Sequence, residues 1–165
     1  MTRLLTPDDT DACVELRRYM LRESPWSFAA DPETDRGSDP VLVAESLANP
    51  DYAFAGSFDD GGRLVSIGLL TRETNPKRRH IAWIVSVYTH PDARRQGRSG
   101  AVLRMLIENA RSRPGVAAVY LSVGDRSPGA QRLYESLGFV VWGVEPDAYR
   151  IGDESSSEVH MRLEL

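Results

Sequence analysis

Cysteine is almost missing from this chain of 165 residues: Cys13 is the only one. That excludes an internal disulfide and a cysteine-based metal cluster. Cys13 shares one helical face with Leu16, Met20 and Leu21, so it reads as a small buried apolar residue. No apolar run is long enough to span a bilayer. The N-terminal stretch Met1-Thr2-Arg3-Leu4-Leu5-Thr6-Pro7-Asp8-Asp9 has no signal-peptide apolar region. A cytoplasmic protein with no membrane partner is expected. Positive charge is not in excess either: the formal net charge is -4, which argues against nucleic acid as the main partner. There is no internal repeat and no domain linker. The length suits a single domain, residues 1–165, with a real core.

The chain has a clear order of elements. Arg3 to Leu5 reads as a short strand. Thr6 and Pro7 then open a helix to about Glu23, with Asp8, Asp9 and Asp11 in its first turn. Ser24 to Asp39 is loop-like, yet it carries Trp26 and Phe28. Asp39-Pro40 opens a second helix through about Ala48. Tyr52–Phe58 and Arg63–Arg72 read as strands around the hairpin turn Asp59-Asp60-Gly61-Gly62. His80–Thr89 is a central strand rich in β-branched and aromatic residues. A helix from Gly100 to about Ser112 follows, stopped by Pro114-Gly115. Val116–Val123 is a strand, and Ser127-Pro128 opens a helix that Gly138 closes. Phe139–Val144 and Val159–Leu165 are closing strands, with Gly152–Ser157 as a flexible hairpin tip. The pattern predicts a mixed sheet with helices on both faces.

Between the central strand and its following helix lies Arg94-Arg95-Gln96-Gly97-Arg98-Ser99-Gly100. A glycine-bearing loop that enters a helix aims backbone N–H groups at one spot, where the helix dipole adds partial positive charge. An anion is the natural guest, and three arginines strengthen that preference. The loop lacks G-x-x-x-x-G-K-[ST], which argues against a P-loop NTPase. It lacks G-x-G-x-x-G, which argues against a Rossmann dinucleotide site.

The segments around this loop carry a resemblance. Val85-Ser86-Val87-Tyr88-Thr89-His90-Pro91-Asp92 leads into Arg94-x-x-Gly97-x-Ser99. Downstream stand Ala130, Leu133, Tyr134, Leu137, Gly138 and Phe139, in the pattern A-x-x-L-Y-x-x-L-G-F. Together they resemble the GNAT superfamily of N-acetyltransferases, from Tyr52 to the C-terminus. The resemblance implies a mixed α+β fold with a mostly antiparallel sheet, splayed at an acyl-CoA site. It implies acetyl-CoA, or another acyl-CoA, as co-substrate; no metal is expected. The pyrophosphate would sit on the loop backbone, Arg95, Gln96, Gly97, Arg98, Ser99 and Gly100. The pantetheine arm would pair with Val87, Tyr88 and Thr89, and Arg94, Arg95 and Arg98 would neutralise phosphates. Two positions depart from the family: Ser99 stands where Gly or Ala is preferred, and Ser127 where Asn often contacts pantetheine. Ser127 is either a cofactor contact or a helix cap.

By the same resemblance, Tyr134 lies near the thioester sulfur and donates a proton to the departing thiolate. A phenol of pKa ~10 is a neutral donor at pH 7, against ~8.5 for a thiol. The implied reaction is acetyl transfer to a primary amine, on a small molecule or a peptide, by direct attack in a ternary complex. A non-catalytic acyl-CoA sensor is the alternative. An alkylammonium of pKa ~10.4 must first lose its proton. Glu23, Glu73, His80, Asp125 and Glu158 are candidate bases. Trp26 and Phe28 are expected on the acceptor side, with Glu145 to Tyr149 and the Gly152–Ser157 hairpin as the other wall. Dimerisation is common in proteins of this kind, but no interface is legible.

Overall fold

The computed structural model describes residues 1–165. Its strands are β1 (Thr2–Leu4), β2 (Tyr52–Phe58), β3 (Leu64–Arg72), β4 (Ile81–Thr89), β5 (Ala118–Gly124), β6 (Val140–Ile151) and β7 (Glu154–Glu164). They form one sheet in the order β1-β2-β3-β4-β5-β7-β6. Every neighbouring pair is antiparallel except β4 and β5. The helices are α1 (Thr10–Glu23), α2 (Pro40–Ala48), α3 (Arg98–Ser112) and α4 (Pro128–Ser136). The expected mixed α+β architecture is present, with helices on both faces.

Local chemistry sets these elements. Asp39 caps α2 by accepting from the amides of Val41 and Leu42, with Pro40 at the first helical position. Thr6 and Asp9 form a capping box ahead of α1. The first turn there is a 3-10 turn, Pro7–Asp9, before the α-helix proper. On one face, Val102, Leu103, Leu106 and Ile107 of α3 pack with Tyr134, Phe139, Leu121 and Met161. On the other, Cys13, Leu16, Met20 and Leu21 of α1 pack with Val43, Phe58, Leu64 and Tyr88. Cys13 is buried, as its helical face predicted, and burial pushes its thiol up to about 12. Each large side chain fully withdrawn from water contributes about 1.5–3 kcal/mol.

Two irregularities shape the centre of the sheet. The β4–β5 ladder runs only from Ile81↔Ala118 to Trp83↔Tyr120. Beyond it the strands part, and a wedge-shaped opening forms between them. Ile67 of β3 faces Tyr88 of β4 while Leu69 faces Val85, so Gly68 alone faces Ser86 and Val87. This is a bulge, and Ser86 takes the left-handed φ of 56° within it. Gly68 is needed opposite, because a Cβ there would meet Leu106 Cδ1 at 3.0 Å and Val102 Cγ1 at 3.1 Å.

The C-terminal hairpin differs from the sequence expectation. Both closing strands extend well past Val144 and begin well before Val159, and only Gly152 and Asp153 remain as a turn. The polar residues Ser155 and Ser156 are strand residues because they pair with Arg150 and Tyr149 across a two-stranded ribbon. A bulge between Glu145 and Tyr149 absorbs Pro146 and Asp147. β6 is a sheet edge and exposes Val140, Val141, Trp142 and Val144.

Candidate active site

The opening between β4 and β5 is a cleft of about 800 Å³. Its walls include Phe28, Val87, Tyr88, Thr89, Arg94, Arg95, Ser99, Ser127, Tyr134, Tyr149 and Glu158. These residues span almost the whole chain, and the parting of β4 from β5 brings them together.

The loop before α3 is built to leave its amides free. Arg95 has φ 61° and Gly97 has φ 73°, so two left-handed residues curl the chain within three positions. No protein group accepts a hydrogen bond from the backbone amides of Arg95 through Gly100. These donors sit at the N-terminus of a helix of 15 residues. Unsatisfied amides and helix dipole together favour a bound anion.

The three arginines have separate jobs. Arg94 donates through Nε to the Thr89 carbonyl at 3.0 Å and through Nη2 to Glu23 at 2.9 Å. It ties the end of α1 to the loop. Arg98 turns away, donating to the Phe58 carbonyl at 2.8 Å and the Ser57 hydroxyl at 3.3 Å. Its side chain fastens α3 to β2 and is absent from the cleft wall, as are Gln96, Gly97 and Gly100. Arg95 alone lines the cleft with no hydrogen-bond or ion-pair partner.

Ser99 is accommodated by a chain of hydroxyls. Ser66 donates to the Tyr88 carbonyl at 3.0 Å, Ser66 and Thr89 lie 2.7 Å apart, and Thr89 and Ser99 2.6 Å apart. A carbonyl can only accept, so the Ser66 proton points at Tyr88. The Thr89 proton must then point at Ser66, and the Ser99 proton at Thr89. Ser99 therefore faces the cleft with lone pairs and gives an anion no proton. Ser127 precedes α4 without a side-chain capping bond. Its hydroxyl lies 3.5 Å from that of Ser27, in the cleft wall.

Tyr134 is buried at 5% exposure, yet it lines the cleft. Its ring packs edge-on against Phe139, 6.1 Å between centroids. Burial pushes its hydroxyl up to about 12, so it stays protonated across the working range. The five candidate bases separate by position. Glu73 accepts from Trp83 Nε1 at 3.0 Å near the start of β4, and His80 precedes that strand; neither lines the cleft. Asp125 accepts from the Ser157 amide, also outside it. Burial raises the Glu23 carboxyl, but hydrogen bonds from Ser24, Tyr88 and Arg94 and the Arg94 charge outweigh it and hold the group below its usual range. Glu158 is the one candidate in the cleft wall. Its Oε1 accepts from Ser122 at 2.7 Å and Tyr149 at 2.6 Å, while Oε2 has no protein donor.

On the acceptor side, Phe28 lines the cleft and packs edge-on against Tyr88. Trp26 does not line it. Arg126 lies 3.9 Å over the Trp26 ring, and the Trp26 carbonyl abuts Gly124, so this tryptophan clamps the loop to β5. Sequence reading missed Arg17, Ser86 and Ser122. Arg17 sits on the polar side of an amphipathic helix, where an arginine gives no signal. Ser86 reads as an ordinary strand residue.

A sequence model described as the Acetyltransferase (GNAT) family matches residues 15–139. The chain belongs to the GNAT acetyltransferase family. Among curated proteins, it is 33% identical over 84 residues to the [Ribosomal protein bS18]-alanine N-acetyltransferase of Escherichia coli (strain K12). That match covers 51% of this chain and 56% of the relative, so the chain spans little more than half of that protein's length. A ribosomal-protein-alanine N-acetyltransferase from Brucella melitensis superposes with TM-score 0.86 at 18% identity, over 100% of this chain and 99% of that one. A GNAT superfamily phosphinothricin acetyltransferase from Sinorhizobium meliloti, solved in complex with AcCoA, gives 0.86 at 18% identity, over 100% and 88%. At these identities the likeness to the solved structures is one of fold. The splayed sheet, Arg95 and Ser99 of the loop before α3, and Tyr134 are the features this GNAT chain places around one cleft.

Proposed function

We infer that this protein transfers the acetyl group of acetyl-CoA to a primary amine, by direct attack in a ternary complex within one domain, residues 1–165. The observation that carries the reading is the convergence on one cleft of unsatisfied loop amides, parted strand edges, Tyr134 and Glu158. The residues fit the co-substrate. The amides of Arg95 to Gly100 have no protein acceptors, which suits a diphosphate, and the Arg95 guanidinium is free to neutralise it. Val87, Tyr88 and Thr89 lie where β4 has left β5, so the edge groups that Ser66 and Arg94 do not already engage are available to an extended arm. Arg94 and Arg98 serve by fixing the loop. When bound, acetyl-CoA supplies an activated thioester carbonyl.

The chain's own residues divide the proton work. At pH 7 an alkylammonium of pKa ~10.4 is neutral in about one part in a thousand, a handicap of about 4–5 kcal/mol. Glu158 Oε2 takes the amine proton, directly or through a water, while Ser122 and Tyr149 hold its other oxygen. Tyr134 donates a hydrogen bond to the departing sulfur. Its hydroxyl, at about 12, is a weaker acid than a thiol of ~8.5, so it stabilises the thiolate without surrendering its proton outright.

The acceptor is a small-molecule or peptide amine, and the likeness to protein-alanine acetyltransferases supports the peptide class. A cytoplasmic setting, no resident metal and no nucleic-acid or membrane partner belong to the same proposal. A homodimer belongs to it too, supported by the exposed apolar edge of β6. Thiol release from acetyl-CoA with a panel of amines tests the reading. Amine-dependent thiol is expected; a melting shift with CoA but no amine-dependent thiol would make the protein a sensor instead.

A further inference from the structure

A second cavity, about 410 Å³, lies between the α1–α2 layer and the sheet. Cys13, Met20, Leu42, Val43, Phe54, Ile67 and Leu69 form its apolar wall. Leu42, Phe54 and Leu69 belong to core-facing elements, yet they are only half-buried. Its volume lies at the lower end of small-ligand sites, which run from about 300 to 1,000 Å³.

This cavity adjoins the transfer cleft. Arg17 and Ser86 line both spaces. Arg17 pairs through Nε and Nη2 with both oxygens of Asp35, at 2.9 and 3.0 Å, and donates through Nη1 to Ser86 at 2.9 Å. A guanidinium has five N–H groups, so two remain free at the junction. The rim carries Arg17, Arg36, Asp35 and Glu45, whose charges cancel. A charged side chain would find no net counter-charge here, and an apolar wall would desolvate it at a cost. An uncharged apolar group entering from the cleft would meet neither obstacle.

We propose that this cavity receives the uncharged apolar side chain of the acceptor amine, and that Arg17 donates to a neutral carbonyl between that side chain and the reacting nitrogen. The proposal rests on the transfer reading and names its substrate class: α-amino carbonyl compounds with aliphatic or aromatic side chains. Arg17 is here a positioning residue, paired in charge with Asp35.

The test uses glycinamide, leucinamide and phenylalaninamide as probes. The wild-type ratio of kcat/KM for leucinamide over glycinamide is expected to be at least about tenfold, since each buried methylene is worth up to about fourfold. Leu42→Trp fills the cavity and should bring that ratio close to one. Ser46→Leu narrows the same wall from α2 and serves if the tryptophan variant does not fold. An independent readout is the methyl signal of Met20, one of only four methionines, assigned with Met20→Leu. Leucinamide should move it and glycinamide should not. A flat ratio with an unmoved Met20 signal overturns the proposal; glycinamide-dependent thiol release would leave the transfer reading standing. A moved Met20 signal without thiol from any amine keeps the cavity and removes the transfer reading. Failure of both readouts removes both.

Discussion

The two walls of the cleft are made in opposite ways. The proposed donor wall is local: Arg94, Arg95 and Ser99 come from one short loop, and besides the Arg95 guanidinium what that loop offers is backbone. The acceptor wall is assembled from distant pieces: Arg17 of α1, Phe28, Ser86 of β4, Ser122 of β5, Tyr149 of β6 and Glu158 of β7. What they offer is side chains. The donor's diphosphate and arm can be gripped by amides, which any sequence supplies once the turn is right. An acceptor must be told apart from other amines, which takes side chains of chosen size and charge, held by long-range contacts such as Arg17–Ser86 and Glu158–Ser122.

The comparison predicts that the two walls fail separately. The largest effect is expected for Glu158→Gln, which keeps the shape and removes the proton acceptor. Its kcat/KM should fall by about 10²–10⁴, while the melting shift with acetyl-CoA stays as in wild type. A matching loss of the melting shift would mean that the walls are not independent. Tyr134→Phe, at the meeting of the walls, comes next. Its kcat should fall about 10–100-fold, the range of a hydrogen bond lost mainly at the leaving sulfur. Because burial holds this hydroxyl up at about 12, Tyr134 remains protonated from pH 6 to 10. The alkaline limb of a pH–rate profile should therefore be the same in wild type and Tyr134→Phe; removal of that limb in the variant would assign it to the tyrosine.

Legibility in the sequence follows the same division. The donor wall was readable because turn chemistry, helix start and the Arg94-x-x-Gly97 spacing are all short-range. Helices and inner strands were readable from apolar periodicity, as with Val102, Leu103, Leu106 and Ile107. The β6–β7 ribbon is longer than the sequence suggests, since Ser155 and Ser156 have weak strand preference and are held there by cross-strand pairing. Side-chain destinations were less readable. Arg98 looked like a phosphate ligand, but its reach to Phe58 depends on where β2 lies. Trp26 looked like an acceptor contact, but Arg126 and Gly124 receive it. Nothing near Glu158 marks it above Glu73 or Asp125. Only the folded sheet places Ser122 and Tyr149 on one of its oxygens.

A smaller effect is expected where the donor wall departs from its family. Ser99→Ala removes the last hydroxyl of the chain from Ser66, leaving Thr89 with one acceptor site unfilled. The loss in stability should be about 0.5–1.5 kcal/mol by chemical denaturation. Since the Ser99 proton points at Thr89, affinity for CoA by calorimetry should change by less than about threefold, well below one charge-assisted hydrogen bond. A tenfold weakening would show that Ser99 reorients toward the anion, and that the donor wall relies on a second side chain besides Arg95.

The smallest effect concerns the strut that joins the walls. Glu23 ends α1 and accepts from Tyr88 at 3.0 Å and Arg94 at 2.9 Å. At the protein surface such a pair is worth less than about 1 kcal/mol, so Glu23→Gln should lower the melting temperature only slightly at pH 7. Its pH dependence is more telling. The folded protein holds this carboxyl below the ordinary glutamate value of about 4.3. Stability from such a group is fully present above the ordinary value and is lost as pH falls through the depressed one. The gap in melting temperature between wild type and Glu23→Gln should be constant from about pH 6 to 8 and close below about pH 4. A gap that persists at pH 3 would mean that the contribution of Glu23 is packing rather than charge, and that α1 holds the donor loop without an ionic link.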